Sequence, residues 1–294
     1  MSRYDYIIAD LRISSDRDIA KLGVRSFAPF AATPANGRAD CTIQFVEHID
    51  PESFGCRREL SQSYILEADA DSSFYAVDNG YLYIIRRRIK GAKSYYFHID
   101  TTTKAITTDM VPTTNIGISV LRFGIWVMFG VILSENSAIA IHSSTIVADG
   151  KGVLFLGESG TGKSTHTRLW RENISGATLL NDDSPILRVV DGCVRVYGSP
   201  WSGKTPCYKS ELYPVAGVCR LAQAPYNRIQ RLSPLMAIGA LLPSAPPIFA
   251  HDEHLQDLIC STLGDIVGRI GVYRLECLPN KEAAELSYNT IIQQ

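Results

Sequence analysis

The stretch VLFLGESGTGKSTHTRLW, residues 153–170, decides how this chain is read. An apolar run ending at Leu156 feeds a glycine-rich turn, followed by Lys163, Ser164, Thr165 and a segment of helical character. Glycine tolerates positive φ and lets a backbone approach a ligand closely. A strand, such a turn and a helix in succession therefore aim backbone amides at one point.

Gly157-x4-Gly162-Lys163-Ser164 fits the P-loop pattern. In that pattern the loop amides cradle phosphates and the helix N-terminus adds positive potential. The lysine neutralises β/γ oxygens, and the hydroxyl ligates Mg²⁺. The nucleotide-binding set expected here is Gly157, Ser159, Gly160, Thr161, Gly162, Lys163, Ser164 and Thr165, with Glu158 turned outward.

A nucleotide site also needs acids for the metal and the nucleophile. ATLLNDDSPILRV supplies Asp182 and Asp183 nineteen residues after Lys163, room for a helix and a return to the sheet. Adjacent side chains on an extended segment face opposite ways, so a turn must intervene for both acids to serve. Ser164, Asp182 and Asp183 are the expected metal ligands. Asp182 is favoured as the base, Asp183 as metal or orienting partner. A plain Asx turn ahead of SPILRV is the alternative.

His142 follows from pairing. AIAIHSSTIV and VLFLGES read as a hairpin turning near Gly150, which sets His142 opposite Glu158 at the mouth of the loop. A histidine there can orient a carboxylate or assist proton transfer. Lys204, closing the small-residue stretch GSPWSGK, is a candidate second cation on the transferring phosphate; a surface lysine is the competing reading. Arg228 and Arg231 are weaker candidates for the same task and read first as a solvated helix start, and His251 and His254 read as helix caps.

IHSSTIV, GVLFLGESGTGKST and LLNDDSPILRV together resemble the C-terminal catalytic domain of the HPr serine kinase/phosphorylase family. More loosely they resemble the nucleotide domain of ATP-dependent phosphoenolpyruvate carboxykinases. The resemblance covers roughly residues 137–290 and implies a histidine before the loop and a double aspartate after it, at His142 and Asp182-Asp183. After the aspartates the family carries a glycine-rich stretch with a metal-binding glutamate; here RVYGSPWSGKTPCYKS has no acid. The departure bears on phosphorylase activity and on HPr as the acceptor.

The whole chain frames this site. Residues 1–112 read as a mostly antiparallel β domain for substrate or partner, with Asn79-Gly80 as a hairpin signal. Residues 113–136 read as an apolar connecting helix, and 137–294 as an α/β P-loop kinase domain of the HPr kinase/phosphoenolpyruvate carboxykinase-like type. The segment 116–133 approaches a membrane thickness, but Arg122 and three glycines interrupt it. A span needs about 20 residues, so burial is expected. Net charge is −1, which offers no general attraction to nucleic acid or anionic lipid. Seven cysteines without a C-x-x-C pair, behind an N-terminus unlike a signal peptide, suit a reducing cytoplasm.

The resulting expectation is a cytoplasmic, ATP- and Mg²⁺-dependent kinase phosphorylating a hydroxyl, foremost a serine of a protein or peptide. A kinase of a small hydroxylated metabolite and a non-catalytic nucleotide sensor are the alternatives. The sequence leaves a homo-oligomer open and implies neither a membrane nor a nucleic-acid partner.

Overall fold

A computed structural model describes residues 3–203 and 205–293. They form two compact units of mixed α/β structure. The first runs to Glu135 and takes in Ile248–Gln256; the second covers Asn136–Pro247 and the chain from Asp257 onward.

Among the described residues, the first unit carries a nine-stranded sheet. Its strands are β1 (Tyr4–Ile8), β2 (Leu11–Ser15), β3 (Ala31–Ala32), β4 (Cys41–Phe45), β5 (Arg58–Ile65), β6 (Ala70–Val77), β7 (Gly80–Arg87), β8 (Ser94–Asp100) and β9 (Ala105–Thr108). They lie in the order β3-β1-β2-β4-β9-β8-β7-β6-β5. Only the β2–β4 and β4–β9 pairs are parallel. YDYIIADLRIS, strand-like throughout by composition, is broken at Ala9-Asp10, where φ of 54° and 59° make a tight left-handed turn. The Asn79-Gly80 hairpin forms, with Val77 opposite Gly80.

The apolar segment is α1 (Asn115–Ser134), capped by Thr114 Oγ1 on Gly117 N and grouped with the first unit. By length and composition it could cross a membrane, yet 67% of its apolar window is buried inside the protein. Gly124 lies so close to Phe97 that an added Cβ would meet the ring at 2.2 Å. The stretch with His251 and His254 returns to the first unit. There Asp252 takes the capping role expected of the histidines: it accepts from Leu255 N, and from Tyr81 Oη and Arg58 Nη2.

The second unit contains β10 (Ala138–Ala140), β11 (Ser144–Ala148), β12 (Lys151–Leu156), α2 (Lys163–Asn173), β13 (Thr178–Asn181), β14 (Ile186–Val190), β15 (Cys193–Tyr197), β16 (Leu212–Gln223), β17 (Arg228–Arg231) and α3 (Pro234–Leu241). After α4 (Glu253–Val267), which begins in the returning segment, come β18 (Gly271–Cys277) and α5 (Lys281–Ile291). The long β16 organises the sheet. Its start pairs antiparallel with β15, and its remainder runs parallel to both β12 and β18. Arg228 and Arg231 belong to the short strand β17, not to a helix start. Arg228 donates to Glu276 of β18 at 3.0 Å, and this cross-strand pair suits a ladder of polar residues.

One face of the β11–β12–β16–β18 layer packs on α2 and α5. Phe155, Trp170, Cys219, Leu275, Ala284 and Ile291 are central to that core. Ser287 of α5 ties the two helices together, accepting from Trp170 Nε1 at 2.9 Å and lying 3.0 Å from His166 Nε2. This core fixes the direction in which α2 leaves the sheet, and so the place of its first turn.

Candidate functional site

The loop between β12 and α2 takes its shape from glycine. Gly160 has φ +81° and Gly162 φ +108°, and neither would meet an atom within 4 Å if given a Cβ. Backbone conformation, not space, demands glycine at both positions. Thr161 closes the loop on itself, donating from N and Oγ1 to Glu158 O at 3.2 and 2.7 Å. Gly162 caps α2 without a side-chain acceptor, so the first-turn amides face outward at the positive end of the helix. Gly157 is buried, Glu158 and Ser159 are exposed, and Thr165 borders the cavities on either side of the first turn.

Lys163 folds back over the loop and donates to Gly157 O at 2.8 Å and Glu158 O at 3.3 Å. Burial lowers its pKa. The Asp183 and Asp182 carboxylates oppose that shift, and the Arg220 guanidinium adds to it. Lysine, two aspartates and an arginine therefore share one electrostatic neighbourhood.

The two acids are split by a turn. Asn181, fully buried at the end of β13, uses its side-chain oxygen to accept from Asp183 N and Ser184 N at 3.0 and 2.9 Å. Its amide nitrogen donates to Trp201 O and Ser199 Oγ. An Asx turn does form here, made by Asn181, and it lets both following carboxylates serve the same neighbourhood instead of opposite faces.

Asp182 Oδ1 accepts from Ser164 Oγ at 3.0 Å and Ser144 Oγ at 2.7 Å. Its Oδ2 has no protein partner among the described residues. Asp183 Oδ1 lies 3.2 Å from His142 Nδ1, with 52% of the histidine side chain and 40% of the aspartate side chain exposed. The hairpin register is as expected, with Ser144 opposite Phe155, but the ladder ends there. His142 consequently does not face Glu158. Its amide bonds Ser244 O at 2.8 Å, and its ring turns to Asp183.

The structure thus brings Lys163, Ser164, Asp182, Asp183 and His142 together, while Lys204 lies outside the described residues. Among the described residues no three His, Cys, Asp or Glu side chains form a metal-binding group. Ser164 and Asp182 offer two oxygens. That donor set fits Mg²⁺, which keeps several waters and shares substrate phosphates instead of demanding a full protein cage.

Sequence reasoning missed Asn181, Ser144, Gly203 and Arg220. A Cβ on Gly203 would stand 2.8 Å from Asp182 O and 3.3 Å from Asp183 Cβ, so this glycine lets the 198–203 loop close on the acids. Arg220 has a signal in the sequence: it is the one charge inside the apolar run VAGVCRLA.

No protein-family model matches the chain, and no curated protein matches it. Among solved structures, the Hpr(Ser) kinase/phosphatase from Coxiella burnetii shows a weak likeness. It has 14% sequence identity and a TM-score of 0.30, over 52% of this chain and 87% of that one. So distant a likeness assigns no role to any side chain.

Proposed function

We propose that the chain is an ATP- and Mg²⁺-dependent kinase that transfers the γ-phosphoryl group to a hydroxyl, with a serine of a protein or peptide as acceptor. The observation that carries this reading is the contact of Ser164 with Asp182 beside Lys163, with Asp183 set apart on His142.

In this reading the loop amides and Lys163 hold the β- and γ-phosphates. Ser164 and Asp182 hold Mg²⁺, which when bound neutralises phosphate oxygens. The division of labour between the acids is then the reverse of the one favoured from sequence. Asp182 is already engaged with two hydroxyl donors at the metal position, whereas Asp183 is open and oriented by His142. Asp183 accepts the proton as the acceptor oxygen bonds to the γ-phosphorus, the bond to the bridging oxygen breaks and ADP leaves. The half-exposed Asp183–His142 pair favours a protruding side chain over an enclosed metabolite. The cytoplasm, with its ATP and thiol-reducing conditions, is the proposed compartment.

The test is phosphoryl transfer from γ-labelled ATP and Mg²⁺ to a serine-containing peptide array. Wild type should label a subset of peptides. Asp183→Asn should lower turnover roughly 10²- to 10⁴-fold while nucleotide affinity stays within a few-fold. Equal transfer by both proteins would remove Asp183 from the chemistry. Nucleotide binding with no transfer by either would favour the sensor reading.

A further inference from the structure

Among the described residues, two of the cavities that border the loop differ sharply in chemistry. One, of about 690 Å³, is lined by apolar side chains including Leu169, Leu221 and Leu278, and opens beside Gly162 and Thr165. The other, about 310 Å³, is bounded by Glu158, Thr161, Arg220 and Arg274. The Lys163 ammonium sits at the Gly157–Glu158 end of the loop, the end bordered by this second cavity.

Arg220 is placed by register. It stands on the strand beside β12, level with Leu156, the last residue before the loop, and level with Arg274 on the other side. Parallel partners in register project to the same face, so two guanidinium groups are neighbours on one sheet surface. Like charges directly opposed are destabilising. Arg274 is relieved by Glu276 at 3.3 Å. Arg220 has no described carboxylate within salt-bridge distance. Only its Nη1 is engaged, donating to Ala240 O at 3.0 Å, which leaves Nε and Nη2 without an acceptor among the described residues. An anchored guanidinium with spare donors, beside a loop lysine and a second arginine, has the chemistry to take an anion.

We infer that Arg220 binds the terminal phosphate of the nucleoside triphosphate and is the residue by which the chain tells triphosphate from diphosphate, with Arg274 as an auxiliary cation. The inference rests on the nucleotide reading above and goes beyond it by assigning the γ-phosphate a dedicated reader outside the loop. The loop amides and Lys163 serve the phosphates of either nucleotide, whereas Arg220 adds a contact to the third phosphate alone, so loss of Arg220 is felt only when that phosphate is present. Neutralising that phosphate also draws charge off the group being transferred, as a second cation does in phosphoryl transfer.

Calorimetric titration with Mg²⁺ and either ADP or a non-hydrolysable ATP analogue tests this. Arg220→Gln keeps a donor for Ala240 O and removes the charge. It should weaken the triphosphate roughly 10- to 100-fold, the range of a lost charged hydrogen bond, and leave ADP within about threefold. Arg220→Lys, which keeps the charge without the planar fork, should recover part of the loss and covers the case in which the glutamine variant misfolds. Equal weakening of both nucleotides, or unchanged triphosphate affinity, overturns the inference and leaves the kinase reading standing. If wild type binds neither nucleotide, the kinase reading falls and this inference with it.

Discussion

Single side chains carry the site, and Asn181 shows how. One buried amide satisfies two backbone donors and shapes the turn that brings both following carboxylates to the loop. Asn181→Ala would leave the Asp183 and Ser184 amides unpaired, a cost of about 1–3 kcal/mol for each buried group left without a partner. Denaturant unfolding should register that loss, and turnover should fall because Asp182 and Asp183 are no longer aimed. Unchanged stability would mean that the turn holds without its amide. His166 offers a second check. Burial depresses its pKa from 6.5 to about 4, and its Nε2 lies against Ser287 Oγ in the core of the second unit. Folding favours the neutral ring, so its contribution is full above pH 6.5 and drains away as the pH falls towards 4. Between pH 7 and pH 4 wild type should lose up to about 3 kcal/mol more than His166→Gln. Parallel stability curves for the two proteins would contradict that burial.

At the scale of elements, α1 makes the sharpest prediction. Its glycine at 124 admits the Phe97 ring, and Gly124→Leu would drive a side chain into it. Overpacking of this kind typically costs about 1–3 kcal/mol, measurable by unfolding. A helix immersed in lipid would tolerate the change and gain hydropathy. What the sequence disclosed at this scale follows the range of the forces involved. β12, α2, β13, β14, β15 and the helices α3 to α5 were readable because their apolar spacing and turn residues are local signals. β16 was not, since Pro214 near its start argues against a strand; in the structure it stands opposite Arg195 at the end of the β15 ladder. β17 reads as polar chain, and its pairing with β18, which sets Arg228 across from Glu276, is a contact no local pattern announces. The Ala9-Asp10 turn lacks the glycine that usually marks one. In the site, the glycine pattern and the acidic pair were legible. The different settings of Asp182 and Asp183 were not, because they depend on a serine from another strand and on where the β11–β12 ladder stops.

For the molecule as a whole, the return of Ile248–Gln256 to the first unit escaped the sequence altogether. Asp252 is held there by Tyr81 and Arg58, partners that no local pattern announces. Every residue assigned to the phosphate, metal and proton lies in the second unit, so the account stands or falls on one pocket. Crystals of the full chain grown with Mn²⁺ and a non-hydrolysable ATP analogue would test it most directly, through the anomalous signal of the metal. The account predicts a single strong peak about 2 Å from Ser164 Oγ, with Asp182 in its coordination sphere and the triphosphate along the loop between residues 157 and 164. A triphosphate bound elsewhere, or a metal peak remote from both Ser164 and Asp182, would contradict it.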